Sequence, residues 1–303
     1  MSIKSKLFIN NLAKKLFPGF MYRAVIRFYI RARYFSFYLL KKKKIDAVYG
    51  ILADDLSRDT LAAYIHCRRF ADPTPLLKLT RPRNLMYFDD LIKLREDEEV
   101  FADIGAFNGN DSKRFARLTN NKYKAIYLFE PDPGGYKKSK ETAKNLQNSF
   151  SFNEAVYDKD GEISFKHNLE SASKISSKKT MQTIQVSTVK LDSKKLSPAP
   201  TILKMDIEGA EAGALRGAKE LIRTNTPVLI VCIYHKKDDV FVLPNLMAEL
   251  MPGAKLYIRH YGYPEQISKG PDFLKNLDIL TFISIPYDLV CYAIPNERSE
   301  TKT

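Results

Sequence analysis

The run Val100-Phe-Ala-Asp-Ile104 is short and apolar, Gly105-Ala-Phe-Asn-Gly109 follows at once, and 111–118 then reads as a helix. A strand that stops at a glycine-rich turn and feeds a helix brings a strand end, backbone N–H groups and a helix N-terminus to one point. Glycine is required where a Cβ would block that approach. The arrangement belongs to parallel α/β sheets, and the rest of the chain extends the pattern.

From Val100 onward, strand-like runs at 100–104, 125–130, 150–157, 201–206, 227–234, 255–260 and 289–294 alternate with helical patterns at 112–118, 134–146, 210–223, 240–250 and 272–277. That alternation predicts βαβ units. The small, polar and basic stretch 171–179 reads as a mobile loop. Upstream, 45–69 carries Leu52, Leu56, Leu61, Ala62 and Ile65 at helical spacing and is broken by Asp72-Pro-Thr-Pro75. The expected organisation is a basic N-terminal segment (1–44), a helical cap (45–99), a main α/β domain (100–294) and a disordered tail (295–303).

The glycine loop restricts the ligand. A dinucleotide fingerprint needs G-x-G-x-x-G, whereas Ala106 and Phe107 follow Gly105. An acid at the strand end with G-x-x-x-G spacing suits a cofactor with a cationic head and no phosphate, a description that S-adenosylmethionine meets. The next strand, Ile126-Tyr-Leu-Phe-Glu130, ends in an acid 27 residues after Asp103. A carboxylate there can accept the hydroxyl hydrogens of a ribose. The candidate cofactor residues are Asp103, Gly105, Ala106, Asn108, Gly109, Glu130 and Asp132, with Glu154 near the adenine and Asp206 beside the reacting centre.

The fourth strand closes on Asp206, and Glu208 and Glu211 follow within one helical turn. Strand-end acids lie where ligand crevices form. His235 ends the fifth strand and His260 the sixth, and histidine is the usual side chain for taking a proton near neutral pH. Asp206 and His235 are therefore the catalytic candidates, with His235 as general base. Glu208, Glu211 and His260 are candidates for orienting acceptor hydroxyls, His260 being equally readable as a structural hydrogen-bonder. A metal on Asp206, Glu208 and His235 matches no established ligand spacing, so none is expected.

The net charge of +14 is unevenly placed, because residues 1–44 hold 12 Lys or Arg and no acid, leaving 37 basic against 35 acidic residues. A nearly neutral body with no basic, aromatic-interleaved stripe argues against a nucleic-acid partner. The segment from Leu16 to Leu40 is rich in aromatic and aliphatic residues and has Arg23, Arg27 and Arg31 four apart. Its charges interrupt it too often for it to span a bilayer, and they fall where a secretory signal has its apolar core. Two readings stay open: a cationic helix that attaches the protein to an anionic membrane, or a helix that packs on its own domain. Cys67, Cys232 and Cys291 are far apart and form no disulfide or zinc pattern, which suits the cytoplasm.

In this order, D-I-G-A-x-x-G (Asp103 to Gly109), F-E-P-D-P (Phe129 to Pro133), K-M-D-I-E-G-A-E (Lys204 to Glu211), Tyr234-His235 and Arg259-His-Tyr261 resemble the FkbM family of S-adenosylmethionine-dependent methyltransferases. The likeness covers roughly 100–294 and does not include the basic segment. It implies a class I methyltransferase (Rossmann-like) α/β fold: a seven-stranded, mostly parallel sheet with helices on both faces, here preceded by a helical N-terminal segment. It also implies O-methylation of sugar or polyketide hydroxyls, and a glycan acceptor assembled at the inner face of the membrane extends that expectation. A nicotinamide-dependent oxidoreductase and a non-catalytic membrane-associated scaffold are the rival readings.

Overall fold

The protein's structure, a computed structural model, describes residues 19–166, 174–175, 183–262 and 285–298. Four helices come first: α1 (Gly19–Leu40), α2 (Lys42–Ile51), α3 (Asp55–Phe70) and α4 (Thr74–Lys78). Then follow β1 (Arg81–Pro82), β2 (Val100–Ile104), α5 (Asn110–Leu118), β3 (Ala125–Phe129), α6 (Pro133–Lys144), β4 (Ser149–Phe152), β5 (Ala155–Val156), β6 (Gly161–Lys166), β7 (Lys174–Ile175) and β8 (Thr183–Val189). The rest comprises α7 (Leu191–Lys194), β9 (Ile202–Met205), α8 (Glu211–Gly217), α9 (Lys219–Asn225), β10 (Val228–Cys232), α10 (Asp239–Leu250), β11 (Lys255–Gly262) and β12 (Leu289–Ile294).

The main sheet runs β1-β11-β12-β10-β9-β2-β3-β4, with β12 antiparallel to both its neighbours and the other pairings parallel. Every residue of β2, β3, β9, β10 and β12 is buried. Strands covered on both faces are largely apolar, which is why these runs are continuous rather than alternating, and the two charges buried within them, Asp103 and Lys204, pair with each other. One face is packed by Val48, Leu61, Tyr64, Leu243 and Met247, the other by Phe88, Phe115, Tyr257 and Tyr261, giving a three-layer α/β structure.

The sheet has eight strands where seven were expected, because the two residues of β1 pair beside β11 at the edge. The expected single helix at 45–69 is two, α2 and α3, interrupted where Leu52 bridges to Leu256 and Asp54 caps the new helix at Ser57. The cap region thus feeds one continuous core with the sheet rather than sitting apart from it. The expected strand 150–157 splits at Asn153, whose side-chain amide donates to the carbonyls of Glu130 and Pro131 and turns the chain away. Its second half, β5, joins a separate sheet of order β5-β8-β6-β7. The helix expected at 210–223 breaks at Ala218, where Gly217 lies so close to Tyr157 that a Cβ would sit 1.9 Å from its carbonyl oxygen.

Residues 296–298 form a 3-10 turn in which the Arg298 guanidinium pairs with the fully buried Glu99, so the tail expected to be disordered is ordered that far. The helix expected at 272–277, His167 and most of the loop at 171–179 lie outside the described residues. No helix among the described residues is long and apolar enough to cross a membrane.

Candidate functional site

The strand order reverses between β2 and β9, and the loops leaving those two strands meet there. Gly105 has φ +83°, and a Cβ on it would lie 2.1 Å from the Asp206 carbonyl oxygen. Gly109 has φ +75°, and its Cβ would lie 2.6 Å from Thr142 on α6. Both glycines are thus fixed twice, by backbone angle and by contact. Ala106 is buried with its N–H on the Phe129 carbonyl, and Asn108 accepts from the Asn110 N–H.

Glu130 stands at the end of β3, 7% exposed. Its two carboxylate oxygens each accept one backbone N–H, from Asp132 at 2.8 Å and from Phe107 at 2.8 Å. Burial raises its pKa against those hydrogen bonds. A carboxylate has about four lone-pair sites, so one acceptor position remains on each oxygen for a vicinal diol. That pair of acceptor positions fits the two ribose hydroxyls of a nucleoside cofactor. Asp132 caps α6 through the Gly134 and Gly135 N–H groups, and Glu154 pairs with Lys194 at 2.5 Å.

Asp103 is placed differently from the expectation. It is fully buried, with one oxygen 3.0 Å from Lys204 Nζ and the other 2.8 Å from Ser112 Oγ. Lys204 Nζ also donates to the Gly105 carbonyl at 3.1 Å and lies 3.5 Å from Asp111. Burial opposes that ammonium, but Asp103, Asp111 and Asp206 outweigh it and raise its pKa. Asp103 therefore holds the loop from beneath through Lys204 rather than facing a ligand.

On the other side of the crevice, His235 Nε2 is 3.3 Å from Asp206 Oδ1 and 4.0 Å from Glu208 Oε1, and His235 Nδ1 is 2.8 Å from Glu211 Oε1. These are ion-pair contacts, the one between Nδ1 and Glu211 being the shortest. Burial pulls the imidazole pKa down, yet Glu211 and Asp206 outweigh it and lift it well above the ordinary value. Burial would raise the Asp206 carboxyl, but His235 and Lys204 hold it well below the usual carboxylate range. Tyr87 donates from its hydroxyl to the other Asp206 oxygen at 2.8 Å. Asp206, Glu211 and His235 lie close enough together to be candidate ligands for a cation.

Sequence reasoning missed Tyr87 and Lys204. A lysine inside an apolar strand, Ile202-Leu-Lys-Met205, was the available signal for the second; nothing local marks the first. Tyr87, Phe107 and Glu208 all carry positive φ, at 69°, 49° and 56°, and all border this crevice. Left-handed non-glycine residues concentrate where tertiary contacts over-determine the backbone.

Two expected acceptor-facing residues are interior. His260 is 1% exposed, with Nδ1 2.8 Å from Thr80 Oγ1 and Nε2 2.7 Å from the Ile285 carbonyl, so it is a structural hydrogen-bonder. Glu211 is fully buried and accepts the Ile207 N–H at 3.0 Å, which makes it a partner of His235 rather than of an acceptor. Glu208, with a side chain 34% exposed, keeps a position at the rim.

The C-terminal half of α1 packs onto this domain: Tyr38 is 2% exposed, Arg31 Nε donates to the Phe70 carbonyl, and the Phe37 ring lies 6.2 Å from that of Phe241. Lys237 Nζ, two residues beyond His235, donates to the Arg33 carbonyl at 2.8 Å.

Comparison with known proteins follows the same lines. A crystal structure of a methyltransferase FkbM from Methylobacillus flagellatus aligns with a TM-score of 0.69 at 20% identity, covering 86% of this chain and 60% of that one. The chain thus spans only part of that relative's length. An rRNA methylase from Streptococcus thermophilus aligns with a TM-score of 0.37 at 12% identity, over 68% of this chain and 91% of that one. A precorrin-6y C5,15-methyltransferase from Geobacter metallireducens gives 0.36 at 12% identity, over 54% and 67%. No curated protein matches significantly. The model of the methyltransferase FkbM domain matches residues 103–264, which is more than half of the chain and decides against the nicotinamide reading. The chain belongs to the FkbM methyltransferase family, and that membership points to S-adenosylmethionine as its cofactor.

Proposed function

We propose that the protein moves a methyl group from S-adenosylmethionine to a hydroxyl oxygen of a sugar, in a bacterial surface glycan or its precursor. The observation that carries the oxygen-acceptor reading is His235, held between Asp206 and Glu211 at the edge where the glycine loop also ends. The cofactor supplies an electrophilic methyl carbon on a sulfonium. What remains for the chain is to align an acceptor oxygen and take its proton. Glu130 would hold the ribose hydroxyls and the loop from Gly105 to Gly109 would carry the backbone approach. Asp206, kept ionised and fixed by Tyr87, places a negative charge beside the reacting centre.

His235 takes the acceptor proton only after releasing its own, because its two carboxylate neighbours favour the imidazolium. Glu208, at the rim, is placed to accept from an acceptor hydroxyl. Membrane attachment belongs to the same proposal: Phe28 and Leu40 are 74% and 81% exposed on α1, next to Lys41 to Lys44, a combination suited to anionic lipid.

The reading is tested by calorimetry with S-adenosylmethionine and by transfer of a labelled methyl group to glycan fractions. Glu130→Ala is expected to weaken cofactor binding about tenfold or more, the loss of charge-assisted hydrogen bonds to a diol. Unchanged affinity would remove Glu130 from the cofactor site, and label found on nitrogen or carbon instead of oxygen would end the O-methyl reading.

A further inference from the structure

His235 also forms part of the wall of a cavity of about 420 Å³ between α1, α3 and the segment after β10. That volume lies in the range of small-ligand sites. Four of its described lining residues are cations, Arg33, Arg68, Lys236 and Lys237, and only one, Asp238, is a carboxylate. The remaining wall is largely aromatic, with Tyr34, Tyr64 and Tyr234 among it.

Arg68 makes this more than a basic surface. It is 7% exposed, and its hydrogen bond among the described residues is from Nε to the Tyr64 hydroxyl at 3.2 Å. No carboxylate of the described residues pairs with it; instead its guanidinium lies 5.2 Å from the centroids of both Tyr34 and Tyr64 and 5.8 Å from that of Tyr287. A buried guanidinium without a carboxylate is costly unless an anion completes it. Aromatic faces offset only part of that cost. Arg33 and Lys237 bring further positive charge to the mouth, and Lys237 also ties α1 in place through the Arg33 carbonyl. The basic N-terminal segment is thus partly built into the wall of the site that His235 serves.

We propose that this cavity is the acceptor site and that it takes a sugar bearing a phosphate or carboxylate, with the anion on Arg68, Arg33 and Lys236 and a hydroxyl toward His235. The hydroxyl half rests on the methyl-transfer reading; the anion half does not. Aromatic walls suit the apolar faces of a sugar ring, and planar guanidinium groups suit a bidentate oxyanion. Discrimination follows from the same chemistry, since a neutral sugar leaves Arg68 buried with no carboxylate partner among the described residues.

The experiment uses the full chain and measures binding of inorganic phosphate, glucose 1-phosphate and glucose by calorimetry, with S-adenosylmethionine titrated into the same preparations. Glucose 1-phosphate is expected to bind and glucose not to, and the double variant Arg33→Gln/Lys236→Gln is expected to weaken the phosphate ligands about tenfold or more. Arg68→Met should abolish their binding, and Arg68→Lys should restore it in part. Equal affinity in wild type and the double variant, or no binding to wild type, would overturn the proposal. Retention by phosphatidylglycerol vesicles that is lost in the double variant and not competed by glucose 1-phosphate would also overturn it, assigning these cations to a lipid surface. Anion binding without S-adenosylmethionine binding would sink the methyl-transfer reading and leave the anion site standing.

Discussion

Lys204 Nζ lies 3.0 Å from Asp103 Oδ1 across two adjacent parallel strands in which the two residues are register partners, and both side chains are within 2% of complete burial. The ion pair clamps β2 to β9 at the point where the sheet reverses order. Its ammonium reaches the Gly105 carbonyl as well, so the pair sets the height of the glycine loop.

Removing one partner leaves the other charged and buried. Lys204→Met should therefore destabilise the fold by about 3–5 kcal/mol in urea denaturation. The double change Lys204→Met/Asp103→Leu should recover much of that loss while cofactor binding stays impaired. A single variant as stable as wild type would show that the pair does not clamp the strands.

Gly105→Ala adds one carbon where none fits. The left-handed backbone opposes any side chain, by about 1–3 kcal/mol, and the Asp206 carbonyl must also move. The expected outcome is a lower melting temperature together with lost S-adenosylmethionine binding. Normal affinity in a destabilised but folded variant would separate the loop from the cofactor.

The sign of the pH dependence follows from the His235 neighbours. A base must be neutral to act, and Glu211 and Asp206 favour its charged form, so the rate should climb as pH rises above neutrality. Glu211→Gln removes the larger of the two lifting charges, and the rising limb should move to lower pH. A limb that stays in place in Glu211→Gln would assign the titration to another group; the measurement is kcat/KM across pH.

His260 makes a stability prediction independent of activity. Burial lowers its pKa from 6.5 to about 4, so the unfolded chain takes up a proton first and stability falls as pH drops through that interval. The full effect is on the order of 3 kcal/mol. Asp89 and Asp239, each raised from 3.8 to about 6 chiefly by burial, work the other way between those values, so the total curve is a poor readout. The stability gap between wild type and His260→Gln is the clean one. It should narrow by about 2 kcal/mol between pH 7 and pH 5, and a constant gap would contradict the burial argument.

The sequence by itself determined the strands and turns that carry the crevice. Continuous apolar runs such as Val228 to Cys232 suit a sheet covered on both faces, and the two glycines after Asp103 mark a tight turn between a strand and a helix. Glu130 and His235 were legible for the same local reason: each ends such a run. Strands β6 and β8 stood outside the expected set because they contain no continuous apolar run: Ile163 and Phe165, and Ile184 and Val186, alternate with polar residues, the weaker signal of a half-buried strand. What only the tertiary structure decided is which way each polar group faces and what charge lies beside it. Asp103 turns inward because Lys204 stands opposite it in register, and His260 is interior because Thr80 and the Ile285 carbonyl complete its hydrogen bonds. Arg33 and Arg68 join His235 around one cavity although they come from separate helices far back in the chain. Electrostatic pairing and cavity walls are set by distances between residues remote in sequence, and those distances exist only once the helices and sheet have packed.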